Sequence, residues 1–330
     1  METNADKSAT RAWPRPAQRG MTLIEMMVAM AISSVLLLGS FNIYTQSRSS
    51  YRSTESVAHL QENLRFATDT LTNDVQLAQF WGQTNEPGFT HTADVSISCD
   101  TVDVTNWALD IDALSGVDMM TGIQASDDSY DLVCPGNDPR DNSDVLVIRH
   151  ASAEQVAAPV DGNVQIQSNG EGGRIFASDV APPEYASNGS IHDVIVNAYY
   201  ISNQSRFEPT LPALRRRSLV GGVMQDQEII PGVENLQVQF GIDTTNDGEV
   251  NGYVDSDHFM VGAPGVEILS VRLWLLVRSE MTEQGQGYRD TKTYATPDAD
   301  LADINPAADA NYPAEFRRAA ITKTIFLRNM

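Results

Sequence analysis

Three sets of side chains in this 330-residue sequence have types and spacings that could do chemistry. Glu25 is a lone carboxylate at the head of an apolar run, and no residue from Met26 to Ser47 is charged. A carboxylate in such surroundings is costly and calls for a positive partner. The segment Asp243-Thr244-Thr245-Asn246-Asp247-Gly248-Glu249 follows part of the D-x-D-x-D-G logic by which oxygen ligands surround a calcium ion at a tight turn. Asp243 and Asp247 stand at positions one and five, Gly248 at six, and the carbonyl of Glu249 follows. Thr245 occupies position three, and Val254 stands at position twelve, where a bidentate glutamate belongs. Asp255 and Asp257 come next and could reach back. The competing reading is a hairpin turn built on Asn246, Asp247 and Gly248. The third set, Arg215-Arg216-Arg217, suits a phosphate or an acidic partner. As alternate residues of a strand, the same arginines would form a solvated face that balances acidic neighbours.

No constellation for catalysis stands beside these. The five histidines (His59, His91, His150, His192, His258) lack H-x-x-x-H or H-E-x-x-H spacing, and there is no phosphate-binding glycine loop and no G-x-S-x-G elbow. The expected protein is not an enzyme. With 44 acidic against 22 basic residues, the formal net charge of −22 argues against a general nucleic-acid binder, which needs basic surface to replace counterions. Two cysteines, Cys99 and Cys134, cannot make a zinc site alone.

The elements that must position these groups follow from hydrophobic pattern. The uncharged run is long enough as a helix, roughly 33 Å at ~1.5 Å per residue, to span a bilayer core. No proline interrupts the chain between Pro16 and Pro87, and beyond Tyr44 it turns amphipathic. Val57, Leu60, Leu64, Ala67, Leu71, Val75 and Ala78 make one helical face, with Glu55, Gln61, Glu62, Arg65, Asp69 and Gln76 on the other. The spacing predicts a helix from Met21 to about Phe80, ended by Trp81-Gly82 and Pro87, with Gly39 as a point of flexibility. From about Gln83 to Asn142 the chain is acidic and irregular, which reads as surface structure with short elements. Beyond it, Asp144–Arg149, Ile191–Ile201, Leu236–Ile242, Val271–Arg278 and Ile321–Arg328 read as strands. One long helix followed by strands predicts an α+β fold: the helix, half membrane-spanning and half amphipathic, packed on an antiparallel β-sheet domain.

The N-terminus admits three readings. A secretory signal should end in a small-residue cleavage site after the apolar run, and none is evident. A plain signal anchor explains the run but not Glu25. The segment Arg19-Gly20-Met21-Thr22-Leu23-Ile24-Glu25 resembles the prepilin cleavage motif of type IV pilins and type II secretion pseudopilins. That resemblance implies cleavage by a prepilin peptidase between Gly20 and Met21, methylation of the new terminus, and Glu25 as the fifth mature residue, paired with the terminal amine of a neighbouring subunit. The implied division is a leader over 1–20, a transmembrane and filament-core helix over 21–47, an amphipathic helix over 48–82, and a β-rich domain over 83–330.

The blocks NAYYIS, PALRRRSLV, IIPGVENLQVQFGIDTTNDGEVNGY, VEILSVRLWLLVRSE and FRRAAITKTIFLRN are similar, in order, to the C-terminal pattern of the PilW family of minor pilins. The resemblance implies a minor pilin that helps prime type IV pilus assembly and sits at or near the pilus tip. Its partners would be other minor pilins, the major pilin, a large tip adhesin, the prepilin peptidase and the inner-membrane assembly platform, with no nucleic acid bound directly. The chain would lie in the inner membrane with its C-terminal domain in the periplasm, then in the extracellular pilus. In that oxidising compartment Cys99–Cys134 is the natural disulfide, stabilising by roughly 3–4 kcal/mol in the chain-entropy picture. Two free buried thiols are the alternative. No cofactor is implied beyond calcium at Asp243, Asp247 and Glu249. The runner-up is a type II secretion minor pseudopilin of the J type. From another class, a membrane-anchored periplasmic calcium-dependent binding protein or hydrolase would need no cut at Gly20.

Overall fold

The computed structural model describes residues 20–84, 90–110, 121–282 and 287–329. The chain divides into two units, residues 1–52 and 53–330. One helix, α1 (Leu23–Leu77), begins in the first and ends in the second.

In the first unit every residue from Gly20 to Arg48 is exposed. The helix is unbroken at Gly39. In the second unit α1 carries the stripe expected of it. Leu60, Ala67, Leu71, Val75 and Ala78 are buried, and Val57 and Leu64 are half-buried. Glu55, Gln61, Glu62, Arg65 and Asp69 stay exposed. A polar residue also fixes this segment: Asp74 meets His150 Nε2 at 3.0 Å and accepts from Asn197 Nδ2 at 2.9 Å. The helix stops at Leu77, three residues before the expected end. Gln79 turns left-handed (φ 65°) and donates its N–H to Arg149 O, which draws the chain onto the neighbouring strand. Gly82 follows at φ 83°, where a Cβ would lie 2.6 Å from Ser168 Oγ, so only glycine fits.

Beyond α1 come β1 (Thr90–His91), β2 (Ser98–Cys99), β3 (Val102–Asp103), the short α2 (Thr105–Leu109) and β4 (Ile123–Ser126). The long strands follow: β5 (Val145–Gln155), β6 (Gln165–Asn169), β7 (Gly172–Phe176), β8 (Ser190–Ser202), β9 (Ala213–Val220) and β10 (Val223–Pro231). The last four are β11 (Val233–Asp243), β12 (Gly252–Asp255), β13 (Glu267–Arg278) and β14 (Arg318–Phe326). They form two sheets rather than one. A ten-stranded sheet is centred on β8, which pairs with β5 along one edge and with β6 and then β9 along the other. It is antiparallel except for two short parallel pairs, β1 with β7 and β2 with β10. A four-stranded antiparallel sheet has the order β12-β11-β13-β14.

The main core lies where the α1 stripe meets both sheets. Ala67, Leu71, Val75 and Ala78 pack with Leu146, Ile148 and Tyr199 of the larger sheet, and with Leu236, Val238, Phe240, Leu273 and Leu275 of the smaller. The section read as surface structure builds a second core instead. Ile97, Cys99, Val104, Ala108 and Leu109 are buried with Trp81, Ile166 and Val196. The alternation in β11 suggests one wet face, yet every residue of the strand is buried. A long excursion between β13 and β14 covers the second face, where Trp274 and Leu276 pack with Tyr294, Ile304 and Tyr312.

Candidate functional site

The N-terminal segment is the first candidate. Gly20 and Met21 precede α1 and are exposed, so the bond between them is within the described chain, while residues 1–19 of the expected leader lie outside it. Thr22 and Glu25 close a capping box. The Thr22 N–H and hydroxyl each donate to Glu25 Oε2 at 2.8 Å, and the Glu25 N–H donates to Thr22 Oγ1 at 3.3 Å. Orphan donors of the first helical turn are thereby satisfied, and negative charge sits where the helix dipole favours it. The T-x-x-E spacing was legible in the sequence, but the reading of Glu25 as an unpaired charge passed over it. Behind this box the apolar side chains from Met21 to Tyr44 are exposed. The stretch is long and apolar enough to cross a membrane, and none of its most apolar window is buried within the chain.

Cys99 and Cys134 are joined by a disulfide with Cα atoms 5.6 Å apart, and both are fully buried. The bond ties β2 to the segment before β5 in the second core. Arg149, wholly buried on β5, holds α2 in the same region by donating to Ala108 O at 2.9 Å and Trp107 O at 3.0 Å. Burial pushes its guanidinium down to about 10, opposed by the charge of Asp110.

The arginine run lies on β9, and Arg215 and Arg217 are buried rather than forming a solvated face. Arg215 lies between two carboxylates across the β9–β10 hairpin: Nε donates to Asp226 Oδ2 at 3.0 Å and Nη1 reaches Glu228 Oε2 at 3.4 Å. Arg217 donates to Cys99 Sγ at 3.2 Å, to Met224 O and to Pro135 O, which braces the disulfide. Arg216, half-buried, lies 6.0 Å from the Tyr199 ring centroid.

The acidic loop after β11 closes on itself. Asp243 Oδ1 accepts the N–H groups of Thr245 and Asn246, both at 2.8 Å, and Oδ2 accepts that of Gly248 at 2.7 Å. Burial pushes the Asp243 carboxyl up, but these N–H groups outweigh it and hold it below the usual carboxylate range. Asp247 Oδ1 accepts the Glu249 N–H at 3.0 Å. Asp243, Asp247 and Glu249 are thus on one loop, with the Asp243 oxygens turned to backbone donors.

Two further charged groups escaped the sequence reading. Arg318, at the start of β14, forms a bidentate pair with Glu234 of β11, 2.6 Å from Oε2 and 3.1 Å from Oε1. Arg278 and Asp290 complete the group at 3.6 Å and 3.5 Å. These residues fall in three of the blocks quoted above and in the excursion between β13 and β14, so pieces far apart in sequence meet in one buried ion cluster. The second group is Asp127, Asp128 and Asp298, each offering a carboxylate oxygen within 4.8 Å of the others. Burial, then the charges of Asp257, Asp298, Asp128 and Asp255, push Asp127 up to about 7. Asp128 is raised by burial and by Asp298. Burial pushes the adjoining Asp144 up to about 8, against the N–H groups of Asp128 and Val238.

Comparison with known proteins agrees with both ends of this architecture. Residues 15–41 match the family model described as Prokaryotic N-terminal methylation motif, which spans Gly20, Met21 and Glu25. Residues 198–329 match the model described as Type IV Pilus-assembly protein W. The Pilin-like protein PilA3 of Thermus thermophilus is 32% identical over 71 residues, which is 21% of this chain and 30% of that relative's length. A type IV-like pilin of Thermus thermophilus is similar in structure with a TM-score of 0.35 at 11% identity, covering 82% of this chain and 96% of that one. Both ends of the chain are thus similar to pilin-related families, and between them lie the apolar helix and most of the sheet-rich domain. The C-terminal match begins within β8, runs past the end of β14 and includes Glu234, Arg278 and Arg318.

Proposed function

We propose that this chain is a structural, non-enzymatic minor pilin that helps prime type IV pilus assembly and enters the filament at or near its tip. The observation that carries this reading is the contrast along α1. Residues 53–77 bury their apolar stripe in the chain's own core, whereas the apolar residues before them bury nothing within the chain. An exposed apolar surface of that size needs lipid or other helices around it. The precursor sits in the inner membrane with its C-terminal domain in the periplasm, and the prepilin peptidase cuts between Gly20 and Met21. The freed helix then packs with those of other minor pilins and the major pilin, on the inner-membrane assembly platform and beneath a large tip adhesin. Glu25 sets the register. Its carboxylate, held by Thr22 in the single chain, also lies close to the new N-terminus, where a neighbour's terminal amine can share it.

The first measurement is the intact mass and N-terminal sequence of the native membrane protein, with and without the prepilin peptidase. The expected product begins at methylated Met21 and disappears without the peptidase. An uncut chain, or one cut after the apolar run, overturns the proposal. A Glu25→Ala chain should be cut normally and incorporate poorly, and normal piliation in that variant would sink the register role. Loss of protein secretion instead of piliation on deletion would move the assignment to a J-type pseudopilin.

A further inference from the structure

We propose that Asp127, Asp128 and Asp298 form a calcium site, distinct from the acidic loop at 243–249. Asp127 and Asp128 make the turn after β4, with Asp128 held left-handed at φ 51°. Gln237 comes from the middle of β11, and Asp298 from the excursion that covers β11. One oxygen from each aspartate lies within 4.8 Å of the other two. Oxygens on opposite sides of one calcium ion, at about 2.3–2.6 Å from it, are separated by about that distance.

A cluster of acids alone proves little, but the hydrogen bonding adds a second observation. Beside the aspartates, Gln237 is 1% exposed and its amide nitrogen donates to Asn142 O at 3.3 Å and Asn235 Oδ1 at 3.1 Å. The same amide also donates to the Asp128 carboxylate, opposing the effect of burial there. Asp298 is 6% exposed; its Oδ1 accepts the Asp300 N–H, and its Oδ2 has no donor. Asp127 Oδ1 and Asp128 Oδ1 are buried and equally without a donor. Buried oxygens left this way are rare and expensive. Three of them, on acids that meet in one place, match the all-oxygen coordination that calcium takes.

The surroundings hold the pieces in place without filling the gap. Asp144 accepts the Asp128 N–H at 2.9 Å and the Val238 N–H at 2.7 Å, fixing the turn to β11. Gln239 Nε2 donates to Asp255 Oδ1 at 2.8 Å and to Pro297 O at 3.0 Å, fixing the residue before Asp298 to β12. An ion here would therefore join the β4 turn, itself tied to β11 through Asp144, and the excursion. By contrast, the Asp243 carboxylate already has its N–H donors.

The test uses the full chain in detergent with calcium or magnesium chloride as the probe. Equilibrium dialysis should find one calcium ion per chain at this site. Calcium at 1 mM should raise Tm by about 5 °C over EDTA, and magnesium at the same concentration should do much less, because it gives up water reluctantly. Asp298→Asn and, independently, Asp127→Asn should weaken calcium binding at least tenfold while their Tm in EDTA stays at or above wild type. Asp243→Asn should keep the full calcium response. The proposal is overturned by an absent calcium shift, by an equal magnesium shift, or by a response that survives both Asp298→Asn and Asp127→Asn. A response lost only in Asp243→Asn would move the ion to the other loop and overturn it too. If Asp298→Asn fails to fold, Asp127→Asn, on a partly exposed turn, decides alone.

Discussion

Two buried charged groups share the domain formed by residues 53–330, and they are built on opposite terms. At one, Glu234 faces Arg318 and Arg278, and Arg318 also reaches Asp290. Glu234 and Arg318 are wholly buried, and the remaining guanidinium donors find Pro313 O at 2.8 Å and Phe316 O at 3.3 Å. At the other, Asp127, Asp128 and Asp298 meet oxygen to oxygen, and the groups that act most on Asp127 are burial and other carboxylates. The first group carries its counter-ions within the chain and so locks the excursion between β13 and β14 at its root. Among the described residues the second has no such cationic partner, and a bound cation would add to the tie that Gln239 already makes to the excursion at Pro297. A buried charge survives by pairing or by binding an ion, and this domain uses the first solution outright and is shaped for the second.

Breaking the paired group should have the largest effect. Arg318→Ala leaves Glu234 buried with, among the described residues, the 3.6 Å contact to Arg278 as its remaining ion pair, a loss of about 3–5 kcal/mol. Urea unfolding of the full chain in detergent checks this, and calcium should not restore the loss. A cost below about 1 kcal/mol would mean that the cluster is open to water and that the contrast between the two groups is false. The acidic loop sharpens the comparison from another side, because its carboxylate is satisfied by backbone instead of arginine. Asp243→Ala removes the acceptor of three loop N–H groups. Water can reach the exposed Thr245, Asn246 and Gly248 and replace part of that, so the cost should be smaller than that of Arg318→Ala and identical in calcium and in EDTA. A cost that appears only in calcium would show that the loop itself holds the ion.

The difference between these groups is also a difference in what a sequence can show. The strands β5, β8, β11, β13 and β14 were legible because their apolar residues alternate or cluster, and the α1 stripe because its spacing is helical. The polar positions of β11 were not. Gln237 and Gln239 alternate with the core residues as solvent-facing residues do, and they are buried only because the later excursion folds over them. Residues such as Ile97, Val104 and Leu109 show no period, so their common core emerges only once the disulfide and Arg149 gather them. The methylation motif was legible because Gly20, Met21 and Glu25 fall within one short segment. The acidic loop drew attention for the same reason, although its carboxylates are the ones already satisfied. Asp127, Asp128 and Asp298 escaped notice because two segments far apart in sequence supply them, and no spacing rule reaches across the intervening strands.

The smallest expected effect has the opposite sign and is the most discriminating. Asp127 shares its site with like charges, and its half-buried side chain is partly screened by water. In EDTA, Asp127→Asn removes one negative charge from that repulsion while keeping the shape of the side chain, so it should stabilise the chain by about 0.5–1 kcal/mol. In saturating calcium the same variant should be less stable than wild type, because it has lost a ligand and the linkage that comes with it. The two measurements are unfolding curves on the same pair of proteins, and the order of stability should reverse between them. No substitution in the Glu234–Arg318 group can produce such a reversal, since its counter-ions never leave the chain. If Asp127→Asn is less stable than wild type in both conditions by the same amount, then its carboxylate is held by the protein alone, and the two groups are of one kind.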